Sequence, residues 1–497
     1  LEALIETRER LGAGIAMLLK VRGLGPKRVN VLYEKLGITT LDKLEDAARL
    51  GRIRELRGFG EQTERAILED IPRVPRESGR VLWVLADQAV RPLVAYLRAG
   101  PHVEEVQAAG SYRRGQETVG DIDLVAASDR GAEVIRHLLS YSEVDEVLSE
   151  GDTRSSLRLR SGLQVDLRVV PRESYGAALQ YLTGSKEHGV ALRGRAQRQG
   201  LKVNEYGVFR DDERIAGATE EELYEALGLA LMPPELRENR GEIEAAAAGQ
   251  LPHLLTLDDM RGDLQAHTNA SDGRSSLEAM ARGAIARGYE YLAITDHSQH
   301  IGVTNGLDAA RLEEQMEAID RLNERLAGEG LVLLKGSEVD ILEDGTLALP
   351  DDLLARLDLV LGAVHSRFDL SRDAQTERIL RAMDNPHLHI LAHPTWRLIG
   401  ERPPYDVDVP RLIEAAHERG VILELNAQPE RMDLDDVYVK AAKDLGVVIA
   451  ISTDAHHVSQ LDHMRLGVMQ ARRGWLEPRD VANARPLKEL RQLLHRA

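Results

Sequence analysis

Two sets of residues in this chain have the types and spacing that phosphorus chemistry requires. In the C-terminal half, ligand-type side chains recur in order: His267, Asp272, His297, Glu338, His365, His393, and Asp454 with His456. Imidazole and carboxylate together suit zinc, manganese or iron, and fit Mg2+ alone poorly. Ions held about 3.5–4 Å apart can generate hydroxide and stabilise both oxygens of an in-line displacement at phosphorus, so phosphoester hydrolysis is the natural chemistry. In the N-terminal half, Gly110-Ser111-Tyr112-Arg113-Arg114-Gly115 precedes Gly120-Asp121-Ile122-Asp123, and Asp166 lies in another strand-like run. Two Asp flanking one residue on a strand face the same way. Like charges so close call for cations between them, and Mg2+ prefers one or two carboxylates plus substrate phosphate. With Asp166 they form the minimum set for two-metal phosphoryl transfer. The Ser111 hydroxyl and Arg114 guanidinium could hold a triphosphate, the arginine as a charge-assisted fork.

The elements that must position these residues can be read from periodicity. A chain of 497 residues is too long for one hydrophobic core and calls for several domains. Residues 1–75 read as helical with Gly-rich breaks. Residues 76–172 mix helical periodicity with strand-like runs at 119–126 and 163–170, and 173–236 read as helices plus a ribbon near 203–209. Pro233-Pro234, a run of four alanines from Ala245, Gly249, Pro252 and Gly262 mark 237–262 as a linker. From 263 to 497, seven apolar runs (263–267, 291–295, 331–336, 357–364, 387–391, 421–425 and 447–452) are mostly separated by helical segments. That alternation predicts a parallel sheet, and seven such units suggest a closed barrel, whose active site gathers at the C-terminal strand ends. An isolated histidine at a strand end is more often structural than a ligand. Eight ligand-type residues at successive strand ends are not explained that way. Asp454 and His456, two apart, would share a face if they lie on a strand. Glu424, closing the sixth run, reads either as a support for the ligands or as structural.

Composition narrows the classes. Apolar residues make up 43% and charged residues 29%, an ordinary globular mixture. The absence of cysteine excludes disulfides, thiolate zinc sites and a cysteine nucleophile. No apolar run approaches the ~20 residues that would span a bilayer, and no signal peptide is evident, so no membrane partner and a cytoplasmic location are expected. The net charge of −18 argues against nucleic acid only if read globally, because a local basic surface is sufficient. Gly23, Gly25, Lys27 and Arg28 stand in a run that resembles a helix-hairpin-helix turn. Such glycines let backbone N–H groups approach a phosphate at a helix N-terminus, a contact without sequence preference. A second copy at 56–62 carries Glu61 and Gln62 in place of the basic pair, so it is expected to grip phosphate weakly or serve structure alone.

The serial strand-end motifs resemble the PHP (polymerase and histidinol phosphatase) domain family. That resemblance implies a distorted (β/α)7 barrel with a trinuclear site of Zn2+ and/or Mn2+. Its ligands would be His267, Asp272, His297, Glu338, His365, His393, Asp454 and His456. Gln265 stands where the family usually has the first of two histidines, and an amide oxygen is a weaker, neutral ligand. The Gly-Ser-x-Arg-Arg-Gly and Gly-Asp-x-Asp runs mark the nucleotidyltransferase superfamily. Tyr181-Leu182-Thr183-Gly184-Ser185, Arg193 and Asn204-Glu205-Tyr206-Gly207 resemble the thumb of family X DNA polymerases. Together the chain is similar to bacterial family X polymerases with a C-terminal PHP domain. The resemblance implies a multidomain α/β fold: a helix-hairpin-helix region (1–75), a palm (76–172), a thumb (173–236), a linker (237–262) and the PHP domain (263–497). Asp121, Asp123 and Asp166 would bind two Mg2+ (or Mn2+) ions, and Asp166 would also orient or deprotonate the primer 3′-hydroxyl. Ser111 and Arg114 would contact nucleotide phosphates, Tyr181 and Gly184 would lie beside the sugar, and Arg193 would face the template.

The implied partners are gapped or primed DNA and deoxynucleoside triphosphates. The implied activities are gap filling in base excision repair and 3′-5′ exonuclease or end processing. Leu182 stands at a position often aromatic in the family and Gly189 at one often Asn, departures that bear on sugar selectivity and base contact. The chain is expected to begin within or after a small N-terminal domain, so no lyase activity is expected. Oligomeric state stays open. Two other readings remain: a small-molecule phosphatase fused to a nucleotidyltransferase, and a DNA-binding scaffold with a degenerate PHP site.

Overall fold

The computed structural model describes residues 18, 21, 24–38, 41–49, 51–71, 80–299 and 304–495. The chain divides into two compact units, Leu1–Val81 and Leu82–Ala497.

In the first unit, helices Pro26–Leu36, Leu41–Arg49 and Glu61–Asp70 pack around Leu18, Val29, Leu32, Leu44, Ile53 and Ile67. Pro26 opens the first helix, where its missing N–H costs nothing. Gly37 closes it in the left-handed conformation (φ 63°) that glycine adopts without strain. Glu64 is buried and accepts from the Ile53 and Arg54 amides and from the Arg54 guanidinium at 2.6 Å, so it is satisfied within the unit.

The second unit begins with a mixed sheet of five strands, β1 (Glu105–Ala108), β2 (Asp121–Ala127), β3 (Val144–Glu150), β4 (Arg154–Leu159) and β5 (Gln164–Val170), in the order β1-β2-β5-β4-β3. β2 and β5 run parallel at the centre, and their register places Asp123 beside Asp166. Helices Tyr175–Thr183 and Lys186–Arg198 follow, then a three-stranded antiparallel ribbon, β6 (Lys202–Asn204), β7 (Gly207–Arg210) and β8 (Glu213–Ala216). The expected ribbon thus gains a third strand.

The stretch expected to be a linker is packed instead. Arg237 is fully buried, paired with Glu220 at 2.5 Å, and its guanidinium sits 5.2 Å from the Tyr224 ring centroid. Helix Glu242–Ala248 adds Ile243 and Ala246 to the apolar core around Leu223 and Tyr224. Its buried Glu242 lies 2.6 Å from His188 Nδ1. Local composition registers the charges, alanines and prolines of this stretch but not the distant partners that neutralise them, and a buried charge is tolerated only when paired.

The remaining residues form seven parallel strands in sequential order: β9 (Gly262–Ala266), β10 (Tyr291–Ile294), β11 (Val332–Asp340), β12 (Leu359–Ala363), β13 (Ile390–Leu391), β14 (Ile422–Asn426) and β15 (Ile449–Ser452). Nearly all their residues are buried, as expected where helices cover a parallel sheet. Leu264, Ala293, Leu361, Ile390 and Ala450 form one apolar cluster, while Leu292 and Ile294 pack with helix residues Met280 and Ala284. The seam between β15 and β9 is nearly closed. His267 N donates to Ala455 O at 2.8 Å, and the Asn483 amide donates to Gly262 O and Ile451 O at 2.8 and 2.7 Å.

Two local expectations shift. Glu338 lies within β11, which continues to Asp340 because Gly336–Asp340 pairs with β12. Asp454 is past the end of β15 with φ 50°, so a turn, not a shared strand face, brings Asp454 and His456 together. Segments beside the sheet of five meet the barrel through polar contacts: Arg465 pairs with Asp87 of helix Trp83–Arg98 at 2.9 Å, and Glu117 accepts from Gln470 at 2.7 Å and from Arg397. No helix among the described residues is long and apolar enough to cross a membrane.

Candidate functional site

The barrel strands deliver their polar ends to one place. Glu338, fully buried, is the hub: it lies 2.8 Å from His393 Nε2, 3.0 Å from His365 Nε2, 3.3 Å from His267 Nε2 and 3.4 Å from His297 Nδ1. His267 Nε2 is also 3.0 Å from Asp454. Asp272, from the loop after β9, lies 3.5 Å from His297 Nε2 and 3.4 Å from His456 Nε2. Three overlapping groups have ligand atoms within 4.8 Å of one another: His267, Asp272, His297 and His456; His297, Glu338 and His365; and His267, Glu338 and Asp454. His393 is outside these groups but hydrogen-bonds Glu338. All eight sequence-predicted positions of the barrel therefore meet.

Their unsatisfied atoms fit metal ions. Both ring nitrogens of His267, Nδ1 of His297 and Nε2 of His365 are buried without a hydrogen-bond partner, although carboxylate oxygens lie close to most of them. Buried polar groups are nearly always paired, so nitrogens and oxygens that share a space without hydrogen-bond geometry are the arrangement a cation completes. The outer atoms fix ring orientation. His365 Nδ1 is 2.9 Å from Asp340, leaving Nε2 for the centre, and His456 Nδ1 lies 2.8 Å from Asp454 O. This is the usual second layer around a ligating histidine.

Sequence reasoning missed most of that layer. Asp296 accepts from Thr268 N, Thr268 Oγ1, Ser271 and Gln315, and so holds the Asp272 loop. Asp433 accepts from the Thr395 and Trp396 amides and holds the loop after His393. Asp296 and Asp340 each adjoin or follow a ligand at a strand end, which is the one local signal available. Glu424 accepts from His393 N at 2.6 Å. Gln265 donates to Glu338 at 2.9 Å, while its amide oxygen is buried without a partner.

The electrostatics follow from this crowding. Burial works against charge on Glu338, but His297, His365 and His267 outweigh it and hold its carboxyl well below the usual range. Burial likewise opposes protonation of His365, yet Glu338 and Asp340 push it up to about 9. His267 goes well up against burial, through Asp454 and Glu338. Glu424 is pushed well up by burial and then by Asp454.

The palm site is more open. Asp121 and Asp123 on β2 and Asp166 on β5 share one sheet face. Asp166 accepts from Gln164 at 2.8 Å and from Ser156. Burial, then Asp121 and Asp166, push Asp123 up to about 7, partly offset by Arg114 and Arg154. Gly110 (φ 61°) precedes Ser111 because a Cβ there would come 2.3 Å from the Asp123 carboxylate. Among the described residues, the three acids do not form a group as close as those of the barrel.

Arg114 donates to Thr183 O, next to Gly184, and to Glu238 at 3.0 Å. Tyr181 is exposed, and Arg193 sits 5.9 Å from its ring centroid. Glu238, unsuspected from sequence, also accepts from Gln116 and from Arg473 of the barrel. In the first unit, Gly25 caps helix Pro26–Leu36 in an extended conformation and Lys27 is exposed. Arg28 reaches Gly58 O at 3.2 Å, in the second hairpin copy. Gly23 lies outside the described residues.

Three families match segments of the chain: a SAM-like helix-hairpin-helix tandem over residues 15–71, the DNA polymerase beta thumb over 178–238 and the PHP domain over 263–428. The DNA polymerase/3′-5′ exonuclease PolX of Bacillus subtilis is 39% identical over 487 residues, which cover 97% of this chain and 85% of that protein. The chain belongs to the bacterial family X DNA polymerases that carry a PHP domain. Its fold class is therefore the one its sequence resembles. Within this PHP-bearing polymerase, the barrel alone is similar to a probable phosphatase of Caldanaerobacter subterraneus, 31% identical over 206 residues, or 39% of this chain and 75% of that one. A solved Leishmania infantum polymerase beta in a ternary complex aligns at a TM-score of 0.31 with 19% identity, covering 45% of this chain and 98% of that one, a likeness too slight to carry weight.

Proposed function

We propose that this chain is a DNA polymerase with a second, hydrolytic site, filling gaps at the palm and trimming DNA in the 3′-5′ direction at the barrel. The full-length similarity to a protein with both activities supports the pairing, and the carrying observation is the convergence of eight imidazole and carboxylate side chains at one barrel mouth. Asp121, Asp123 and Asp166 would hold Mg2+ (or Mn2+), and the barrel set would hold Zn2+ and/or Mn2+. Bound there, such ions activate a nucleophile and neutralise charge developing on the phosphorus oxygens.

The residues divide the work. Asp166, held by Gln164 and Ser156, faces the primer hydroxyl. Arg114 offers its fork to the triphosphate once Glu238 yields it. Tyr181 and Gly184 flank the sugar, Arg193 faces the template, and Ser111 meets a phosphate. Gly25, Lys27 and Arg28, with Gly23, grip the DNA backbone. In the barrel, Asp340 keeps the His365 ring aimed at the centre, and Glu424 backs His393 by accepting from its amide.

A gapped duplex with a labelled primer tests both halves. Asp121→Ala should abolish extension and leave 3′-5′ degradation intact; His365→Ala should do the reverse. A single substitution that removed both activities would refute two separate sites.

A further inference from the structure

The rim of the barrel beside His365 and His393 holds side chains that the ligand cluster does not use. The Trp396 ring centroid lies 4.8 Å from that of His365 and 4.8 Å from that of His393. Phe368 stacks on Trp396 at 5.7 Å with a 9° interplanar angle, has the Tyr405 ring at 6.2 Å, and is 38% exposed. Arg431 lies 4.0 Å over the Trp396 ring, and Arg402 lies 5.1 Å from Trp396 and 5.8 Å from Phe368.

Arg402 donates only to the Trp396 carbonyl, and no carboxylate pairs with Arg402 or Arg431 among the described residues. Trp396 Nε1 and one terminal nitrogen of Arg431 are buried donors with no acceptor. Two neighbouring guanidiniums repel each other and lose hydration: burial and then Arg431 lower the Arg402 pKa. In a chain of net charge −18, where most arginines of the barrel surface have carboxylate partners, these two guanidiniums stand without one. An aromatic face next to guanidiniums that no carboxylate pairs is the chemistry that holds a nucleotide, base on the ring and phosphate on the guanidiniums.

We propose that this rim seats the terminal nucleotide of a single DNA strand, with its base on Phe368 and its phosphate between Arg402 and Arg431. The proposal rests on the nuclease reading of the barrel and supplies its substrate subsite. It favours a frayed or unpaired end, because a paired base cannot stack on the rim. The alternative, that Arg431 merely packs against Trp396, predicts no dependence on the base.

The test uses the full chain and a single-stranded oligonucleotide, intact or with an abasic residue at its 3′ end. Phe368→Ala should raise KM for the intact strand about tenfold, the scale of one base–aromatic stack, with kcat and bound metal unchanged. The abasic end should cost the wild type a similar factor and cost Phe368→Ala almost nothing more. Arg431→Gln should raise KM for both ends alike. In chelator, a 3′-terminal 4-thiothymidine should photocrosslink to the segment bearing Phe368 or Trp396. Unchanged KM in both variants, or an abasic penalty that persists in Phe368→Ala, would overturn the rim while leaving the nuclease intact. Crosslinking at the rim by a wild-type chain that never cuts the strand would remove the nuclease reading and keep the rim.

Discussion

In the palm, three carboxylates share one sheet face with no histidine among them, and burial, then their mutual repulsion, pushes Asp123 up to about 7. In the barrel, Glu338 is surrounded by four imidazoles, and its carboxyl is held far below the ordinary range by them. The barrel set is assembled, oriented by Asp340, Asp296 and Asp433, and buried. The palm set is looser, and Arg114 beside it is paired with Glu238. The difference teaches that two phosphorus sites in one chain can relate to their metals differently. On the proposed reading, the barrel would hold ions by itself, and the palm would be completed by the phosphates of its substrate, as suits Mg2+.

The largest effects should separate the two sites entirely. Asp123→Asn should reduce primer extension to background on a gapped duplex while exonuclease rates stay near wild type. The barrel's second layer should show a smaller loss. Asp340→Ala should weaken metal retention or DNA degradation by about 10–100-fold, the usual cost of removing a histidine's outer partner, and leave extension unchanged. Equal losses in both activities would mean that the sites are not independent.

A third buried charge cluster serves as a control, because it needs no metal. Burial raises the Glu220 pKa, but Arg237 and Arg113 outweigh it and bring it down to about 2. A carboxylate depressed in the folded state stabilises above its unfolded pKa, and that stability is lost as pH falls through the folded value. The thumb should therefore lose about 3 kcal/mol between about pH 4.5 and pH 2, equally with and without chelator. Glu220→Gln should flatten that window in thermal melts.

The smallest effect concerns Arg114. If Glu238 holds this guanidinium away from the triphosphate, Glu238→Gln should lower KM for nucleotide by a factor of about five, the scale of ~1 kcal/mol, without changing the exonuclease. A rise in KM would show that Glu238 positions Arg114 for the phosphate.

Much of this was legible in the sequence because each barrel ligand follows an apolar run, so that strand order alone carries His267, His297, Glu338, His365, His393 and Asp454 to one mouth. Asp121, Asp123 and Asp166 were legible because alternation on β2 and β5 places them on one face. What stayed hidden depends on partners far away in the chain. Glu238 reads as linker charge until Arg114 and Arg473 close on it from 124 and 235 residues away. Arg237 and Glu242 read as solvated until Glu220 and His188 are seen to bury with them. The Trp396 rim assembles from three loops, and no periodicity links Phe368, Arg402 and Arg431.

Metal analysis of the full chain after exhaustive dialysis against metal-free buffer tests the contrast between the two sites most directly. Wild type and Asp123→Asn should retain the same zinc or manganese, more than one ion per chain, while His267→Ala should lose most of it. A wild-type chain that retains no ions, or a His267→Ala chain that retains them all, would contradict a barrel that holds its metals unaided.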